Sequence, residues 1–581
     1  MAQPVVYSSD PADFYYMELN VPCQGACPVE TNIPAYIRAA FEEKYGRSYE
    51  VNVAANVFPG VLGRICSRPC ETRCRHGEAE LGQPVNICHI KRAAADMKGG
   101  EFAALKPQPP NGKRVAVIGA GPAGLAAARD MALGGMAVTV FERRRHPGGM
   151  LRYGIPEFRL PRRVLEAEIE AIANLGVEIR TGVGIGVEEN VESLLKAFDA
   201  VLLSTGCSRP MYLNIPGESL QGVYPGLTFM MDVCSGNAPP MGKRVLVMGA
   251  GFTAFDCARS ALRLGAESVT ICLRRTEQDL AVTRDEVLET KKEGVRVEAL
   301  MLSQRILGDD RVEGVEFVRT RPGEMREDGK QSICPIEGSA FTIFADTVII
   351  ATGQRPEPVP TPADTDKNGI TTADTHTFKT SVKGLYAAGD FITGPSTVIE
   401  SVAAGRHAAE KIVRDLTGKP FREKAVRMAD AVMTDRDRTW DFIPRQDMPT
   451  PASTDERIQS MANEVETGLT ASMAREESKR CYLCYLHYEI DMERCIYCRY
   501  CMDVAPRDCI KLVKRVMTNE LGAVAGFEET TSWRDVNAVV IDNARCIRCG
   551  ECVRVCPVDC ISVTRVELTE RMPNRSTNDN A

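Results

Sequence analysis

Residues 113–142 read KRVAVIGAGPAGLAAARDMALGGMAVTVFE: an apolar run, a glycine turn, an alanine-rich helical stretch and a second apolar run ending on an acid. Gly119, Gly121 and Gly124 form G-x-G-x-x-G at the expected strand-to-helix turn. A backbone without side chains there can approach a pyrophosphate over the positive end of the helix. Glu142 closes the second strand, where a carboxylate can accept ribose hydroxyls. A glycine turn alone is a weak signal, and a turn without ligand is the bland reading. Strand, helix, second strand and terminal acid together make a dinucleotide site.

The pattern recurs from Lys243: KRVLVMGAGFTAFDCARSALRLGAESVTICLRR, with Gly249, Gly251 and Ala254 as G-x-G-x-x-A. Here the second strand ends in Arg274 and Arg275 instead of an acid. A carboxylate repels a 2'-phosphate, whereas guanidinium holds it with charge-assisted bonds, so this site favours NADP(H) over NAD. The alternative is a solvated strand end. Two such units in one chain suggest a flavin with its nicotinamide donor. LYAAGD (385–390) followed by TVIESVAAGRHAAEKI (397–412) looks like the late strand, turn and helix that return to the flavin domain, with Gly389 and Asp390 at the ribityl-pyrophosphate region. Ser204-Thr205-Gly206 and Ala351-Thr352-Gly353 resemble paired crossings between the two domains.

The cysteines are polarised: of 22, eleven lie between Cys481 and Cys560, six between Cys23 and Cys88, and five in the long middle. A disulfide framework suits a short secreted chain without a core, and this chain has 581 residues and an opening with no signal-peptide pattern. Cys546, Cys549, Cys552 and Cys556 with Pro557 make the C-x2-C-x2-C-x3-C-P run of a bacterial ferredoxin. In that run three thiolates wrap one iron-sulfur cube and the fourth ligates the other. Cys495, Cys498 and Cys501 are therefore expected to bind one cube with Cys556. The other cube takes Cys546, Cys549 and Cys552, but its partner position is Ala505, which cannot bind iron. Cys509, one helical turn on, is the candidate replacement; a three-iron cluster or another ligand are the alternatives. Cys560 reads as a spare. Structural zinc is the competing reading, although it needs only four ligands, with a longer gap between pairs.

No C-x-x-C occurs between Arg92 and Arg480, so the thiol relay of the disulfide reductases is absent from the flavin region. The five middle cysteines, Cys207, Cys234, Cys257, Cys272 and Cys334, read as small core residues. Electrons leaving the flavin are expected to use the iron-sulfur ends.

A hydrophobic content of 44% and a charged content of 26% are those of a globular protein, and no stretch has membrane-spanning length. A net charge of −7 argues against nucleic acid. Thiols in metal-type spacings point to the reducing cytoplasm.

The run Gly148-Gly149-Met150-Leu151-Arg152-Tyr153-Gly154-Ile155-Pro156 with Phe158-Arg159-Leu160-Pro161 resembles the flavin loop of the glutamate synthase small-subunit family. That family includes the N-terminal half of dihydropyrimidine dehydrogenase and the large subunit of the NADH-dependent ferredoxin:NADP oxidoreductase. The resemblance covers roughly Cys23 to Leu416 and implies FAD, NADPH and two 4Fe-4S clusters in an N-terminal helical domain. Ala26-Cys27-Pro28 and Gly63-Arg64-Ile65-Cys66 resemble that domain, and Gly149 belongs to the flavin loop.

The family opens with an Arg-Cys-x-x-Cys pair, whereas here the stretch from Tyr15 to Glu18 has no cysteine. Arg480-Cys481-Tyr482-Leu483-Cys484 looks like that opening moved to the far end of the chain. The resemblance then implies that Cys481 and Cys484 fold back to join Cys23 and Cys74; the alternative is that the pair binds its own metal or nothing. The other N-terminal cluster takes Cys27, Cys66 and Cys70. Relatives carry Gln or Glu at its fourth position, where this chain has Lys91, and an ammonium is no ligand, so Cys88 is the choice.

The expected fold is multidomain α/β: a helical iron-sulfur domain (1–105), a Rossmann-like FAD domain in two parts (106–240 and 351–416), an inserted NADP domain (241–350), a linker (417–480) with one helix near Ile458 to Arg475, and a C-terminal α+β two-cluster ferredoxin domain (481–581). Lys511 to Arg545 reads as a hairpin or docking insertion. The expected function is an NADP(H)-linked FAD and iron-sulfur oxidoreductase serving a ferredoxin or a partner subunit in a hetero-oligomer, with four 4Fe-4S clusters. It fits the NADP-reducing subunit of a 2-oxoacid:ferredoxin oxidoreductase-type complex. A glutamate synthase small subunit and a non-catalytic electron-wiring subunit are the rivals. No acid-base catalytic residue is required, because the cofactors carry the chemistry.

Overall fold

The computed structural model describes residues 20–77, 82–100, 102, 105–325, 331–431, 443–451, 453–518, 524–542 and 545–571. The chain forms two compact bodies, one from residues 1–105, 420–448 and 468–581, the other from 106–419 and 449–467.

The second body carries both nucleotide folds. Its first sheet is all parallel, ordered Leu385–Ala387, Ala200–Leu203, Arg114–Ile118, Ala137–Glu142, Glu178–Thr181. Strands buried on both faces need continuous apolar runs, and Val115, Ala116, Val117 and Ile118 are all buried. The helix Pro122–Leu133 starts at the glycine turn and packs on the helix Val398–Thr417. A side chain at Gly405 would lie 2.0 Å from the Ala123 carbonyl oxygen, so this packing requires glycine. The late helix begins with a capping box in which Thr397 and Glu400 satisfy each other's backbone donors.

The second parallel sheet is ordered Val223–Pro225, Thr347–Ile350, Arg244–Met248, Ser268–Cys272, Arg296–Glu298. Cys207–Pro210 and Gln354–Pro356 pair antiparallel directly after the two expected crossings. One boundary moves: Val223–Pro225 belongs to the NADP sheet, and Phe229, Met230 and Val233 of the next helix lie in its core, so that domain begins before residue 241. The edge strand is three residues long and half-buried, leaving little pattern to detect.

In the first body, short helices, among them Ile33–Phe41, Tyr45–Asn56, Pro59–Ile65 and Ile87–Met97, form the N-terminal bundle. The C-terminal module has two three-stranded antiparallel sheets: Glu423–Asp430, Ile561–Arg571, Leu486–Ile490; and Val524–Glu529, Ile510–Thr518, Ala538–Ile541. Within the 511–545 insertion, Ile510–Thr518 pairs antiparallel with both Val524–Glu529 and Ala538–Ile541.

The linker differs from expectation. Glu423–Asp430 is a strand of the ferredoxin sheet, and two helices, Thr454–Ile458 and Ala471–Lys479, replace the single one. Pro451 precedes the first helix, and Gly468, at positive φ, lies in the coil between the two. The helix Ala471–Lys479 packs on the N-terminal bundle through Ala93, Leu469 and Ala474. No helix among the described residues is long and apolar enough to cross a membrane.

Candidate functional site

The first glycine turn is a cradle that side chains would fill. Gly119 has φ +104°, and a side chain at Gly124 would meet the Gly119 carbonyl oxygen at 2.0 Å. Gly149 of the flavin loop has φ +53°, and a side chain there would come within 2.7 Å of the Gly121 Cα. Gly389 has φ +70° and would touch the Ala123 side chain. Residues distant in sequence thus converge on one turn: Gly119, Gly121, Gly124, Gly149 and Gly389. Glu142 is buried and accepts the N–H groups of Ala120 and Arg144, each at 2.9 Å, which ties the turn to the strand end. A carboxylate retains further lone pairs for hydroxyls. Asp390 accepts the hydroxyls of Ser396 and Ser401. The Thr205 hydroxyl is buried there without a partner among the described residues, as a site built for a polar ligand would leave it. The Cys207 thiol bonds the Asp390 carbonyl and is pushed up to about 12, chiefly by burial, so it is no nucleophile.

At the second turn a side chain on Gly249 would strike the Ala351 carbonyl oxygen at 2.3 Å, Gly251 faces open space, and Ala254 is fully buried. Arg274 is exposed and Arg275 half-buried. The Arg275 Nε is buried without a hydrogen-bond partner among the described residues, a donor suited to an anion. The flavin loop is anchored to this domain: Arg159 donates to both Asp256 oxygens at 2.7 and 2.9 Å, and Phe158 lies under Arg263 and Arg259. Burial raises Asp256 to about 6 despite Arg159.

The iron-sulfur body gathers its thiols into four groups. Cys23 is buried and its thiol is pushed up by burial and then by Cys484, Cys74 and Cys481, so the moved pair does stand with the N-terminal residues. These four line one cavity with Ile33, Ile37 and His76. In the second group Cys66 and Cys70 share hydrogen bonds with Cys88, and Cys70 also faces Cys27. Lys91 is buried, donates to Asn56 Oδ1 at 3.1 Å, and stays charged because all four of these thiols face it against the cost of burial. The Asn56 amide donates to Thr31, whose hydroxyl meets Cys27 at 3.5 Å.

In the third group Cys509, the residue chosen to replace Ala505, shares a hydrogen bond with Cys546 and faces Cys552 and Cys549. The fourth group, Cys495, Cys498, Cys501 and Cys556, lines a cavity with Tyr497 and Trp533. Cys560, read as a spare, lines the same cavity. Among the described residues no three His, Cys, Asp or Glu side chains are drawn tightly enough together to hold a single metal ion.

The groups form a row. Fully buried Tyr36 faces Cys70, Cys88, Cys23 and Cys27, between the first two. Cys484 packs with Tyr482, Ile547 and Cys549, joining the N-terminal pair's group to the Cys546 group. Cys552 faces Cys501, joining the last two. Sequence reasoning missed Tyr36, Asn56 and the fastener beside Cys481. There Arg480 donates to Glu477 Oε1 (2.7 Å) and to the carbonyls of Pro84, Gln83 and Ile443. Glu477 in turn accepts the N–H groups of Asn86 and Gln446.

Three family models match: pyridine nucleotide-disulphide oxidoreductase over residues 113–405, dihydropyrimidine dehydrogenase domain II with a 4Fe-4S cluster over 18–101, and a 4Fe-4S dicluster domain over 494–560. The NADPH-Fe(3+) oxidoreductase subunit beta of Geobacter sulfurreducens is 34% identical over 508 residues, covering 80% of this chain and 75% of the relative. The NADP(+)-dependent formate dehydrogenase subunit beta of Moorella thermoacetica is 34% identical, covering 80% and 71%. The glutamate synthase [NADPH] small chain of Azospirillum brasilense is 35% identical, covering 67% and 85%.

Proposed function

This chain belongs to the pyridine nucleotide-disulphide oxidoreductase family, among relatives of the glutamate synthase small chain, and from that premise we propose how its electron path is laid out. The chain is an NADP-dependent oxidoreductase with FAD, NADP(H) and 4Fe-4S clusters. FAD, when bound, supplies the exchange between a two-electron hydride carrier and one-electron iron-sulfur carriers. The chain's own residues bind and orient. Gly119, Gly121, Gly124, Gly149 and Gly389 let backbone approach the flavin nucleotide, Glu142 takes its ribose hydroxyls, and Asp390, oriented by Ser396 and Ser401, takes its ribityl-pyrophosphate region. Gly249, Gly251 and Ala254 receive the NADP pyrophosphate, and Arg274 and Arg275 its 2'-phosphate.

Four cubes are held by Cys27, Cys66, Cys70 and Cys88; by Cys23, Cys74, Cys481 and Cys484; by Cys509, Cys546, Cys549 and Cys552; and by Cys495, Cys498, Cys501 and Cys556. The observation that supports this reading is the row itself, in which each thiol group adjoins the next. All four thiols of the last group are partly exposed, so electrons are exchanged there with a ferredoxin or a partner subunit. Two relatives are named as beta subunits, which supports a hetero-oligomeric complex, and the reducing cytoplasm suits so many thiols.

Anaerobic titration with NADPH tests the enzyme reading: the flavin should bleach, with about sixteen irons per FAD in the purified chain. If neither NADPH nor NADH bleaches it, the chain is a wiring subunit.

A further inference from the structure

The fourth thiol group contains five cysteines, not four. Cys560 lines the same cavity as Cys495, Cys498, Cys501 and Cys556, and its sulfur stands 3.5 Å from that of Cys556. The Cys560 thiol faces Cys495 as well. The other half of the module shows what a cysteine in this place can do. Cys509 follows Ala505 by four residues, as Cys560 follows Cys556, and Cys509 stands against Cys546 in the way Cys560 stands against Cys495. One fold position is therefore presented twice, once alone and once beside the conventional ligand.

We propose that Cys556 and Cys560 are interchangeable fourth ligands of the cluster held by Cys495, Cys498 and Cys501, with Cys556 the resting ligand and Cys560 the reserve. Cys556 closes the C-x2-C-x2-C-x3-C-P run and so is the resting ligand, while Cys560 stands 3.5 Å from its sulfur in the same cavity and so is the reserve. When Cys556 is absent, Cys560 already lines the cavity with Cys495, Cys498 and Cys501, so it releases its proton to solvent and bonds iron in its place. The partly exposed group is the one furnished with a reserve thiol, whereas the buried Cys546 group has none.

The proposal rests on reading these cysteines as one 4Fe-4S site, and the test separates the two. Full-length Cys556→Ala, Cys560→Ala and the double variant are purified anaerobically, and iron content and the reduced-state electron paramagnetic resonance spectrum are measured. Alanine already stands at the matching position 505, so the fold accepts it. Each single variant should keep all the iron of the natural chain, and the double variant should lose iron and one cluster signal. Loss of that iron, or of soluble protein, from Cys556→Ala alone would overturn the interchange. A natural chain and a double variant with equal iron would instead overturn the site reading beneath it.

Discussion

Replacing Arg480 with Met should unfasten the two ends of the chain. Arg480 is 3% exposed and its Glu477 partner 0%, and between them they hold Pro84, Gln83, Ile443, Asn86 and Gln446. Removing one partner of a buried ion pair costs about 3–5 kcal/mol, because the other charge is left uncompensated. At 1.4 kcal/mol per tenfold, the docked arrangement becomes less favoured by roughly two to three and a half orders of magnitude. Cys481 and Cys484 follow directly, so what is lost is their alignment with Cys23 and Cys74 before iron is loaded. The expected result is a chain short of about four irons in sixteen, with flavin content unchanged. Arg480→Lys keeps the charge but not the fork and should fall between the two. The double variant Glu477→Leu with Arg480→Met should recover part of the loss, since no lone charge stays buried. Full iron and an unchanged melting temperature in Arg480→Met would refute the idea that this pair positions the ligands.

Three other outcomes are expected. Arg275→Gln together with Arg274→Gln should weaken NADPH at least tenfold while leaving NADH nearly unchanged, read from the concentration needed to bleach the flavin. An equal loss for both would remove the 2'-phosphate assignment. Cys509→Ala should cost one cluster signal, because no second thiol stands at Ala505; a full iron count would return the site to an unknown ligand. Lys91→Gln should keep its iron but lower the midpoint potential of the Cys66 group, with Lys91→Arg near the natural value. A tenfold change in the reduced-to-oxidised ratio is 59 mV for one electron, and an unmoved midpoint would mean the ammonium does not act on the cluster.

What the sequence made legible follows the length of each signal. The glycine fingerprints are local: strand, turn and helix are consecutive, and Gly119, Gly124 and Gly249 each answer to a backbone clash, as at Gly124 against Gly119. The grouping of Cys509 with Cys546 was legible in the same local way, from its spacing after Ala505. The start of the NADP domain was not, because Val223–Pro225 is strand only by virtue of pairing with Thr347–Ile350, far along the chain. Glu423–Asp430 is the same case: it is half-exposed, carries charges, and is ordered by the strand Ile561–Arg571. Lys91 was visible as a departure from the family pattern, but its role was not, since the thiols that keep it charged come from three separate segments.

The placement of Cys481 and Cys484 ties the last of these points to the folding of the body. A ligand pair from the far end of the chain adds a constraint that the N-terminal bundle cannot meet alone. Four thiolates crowd together only when iron or protons offset their repulsion, and at Cys23 burial first and then Cys484, Cys74 and Cys481 favour the protonated thiol. The protein contacts must therefore bring the pair in while the thiols are still protonated. Glu477 and Arg480, together with the helix Ala471–Lys479 packed at Ala93, make those contacts without the metal. Docking then precedes iron, and a chain truncated before Thr470 should lose the clusters of the C-terminal module and also fail to load Cys23 and Cys74, while Cys27, Cys66, Cys70 and Cys88 still load. Iron retained by both N-terminal groups in that truncated chain would show that the front of the molecule completes its clusters without the back.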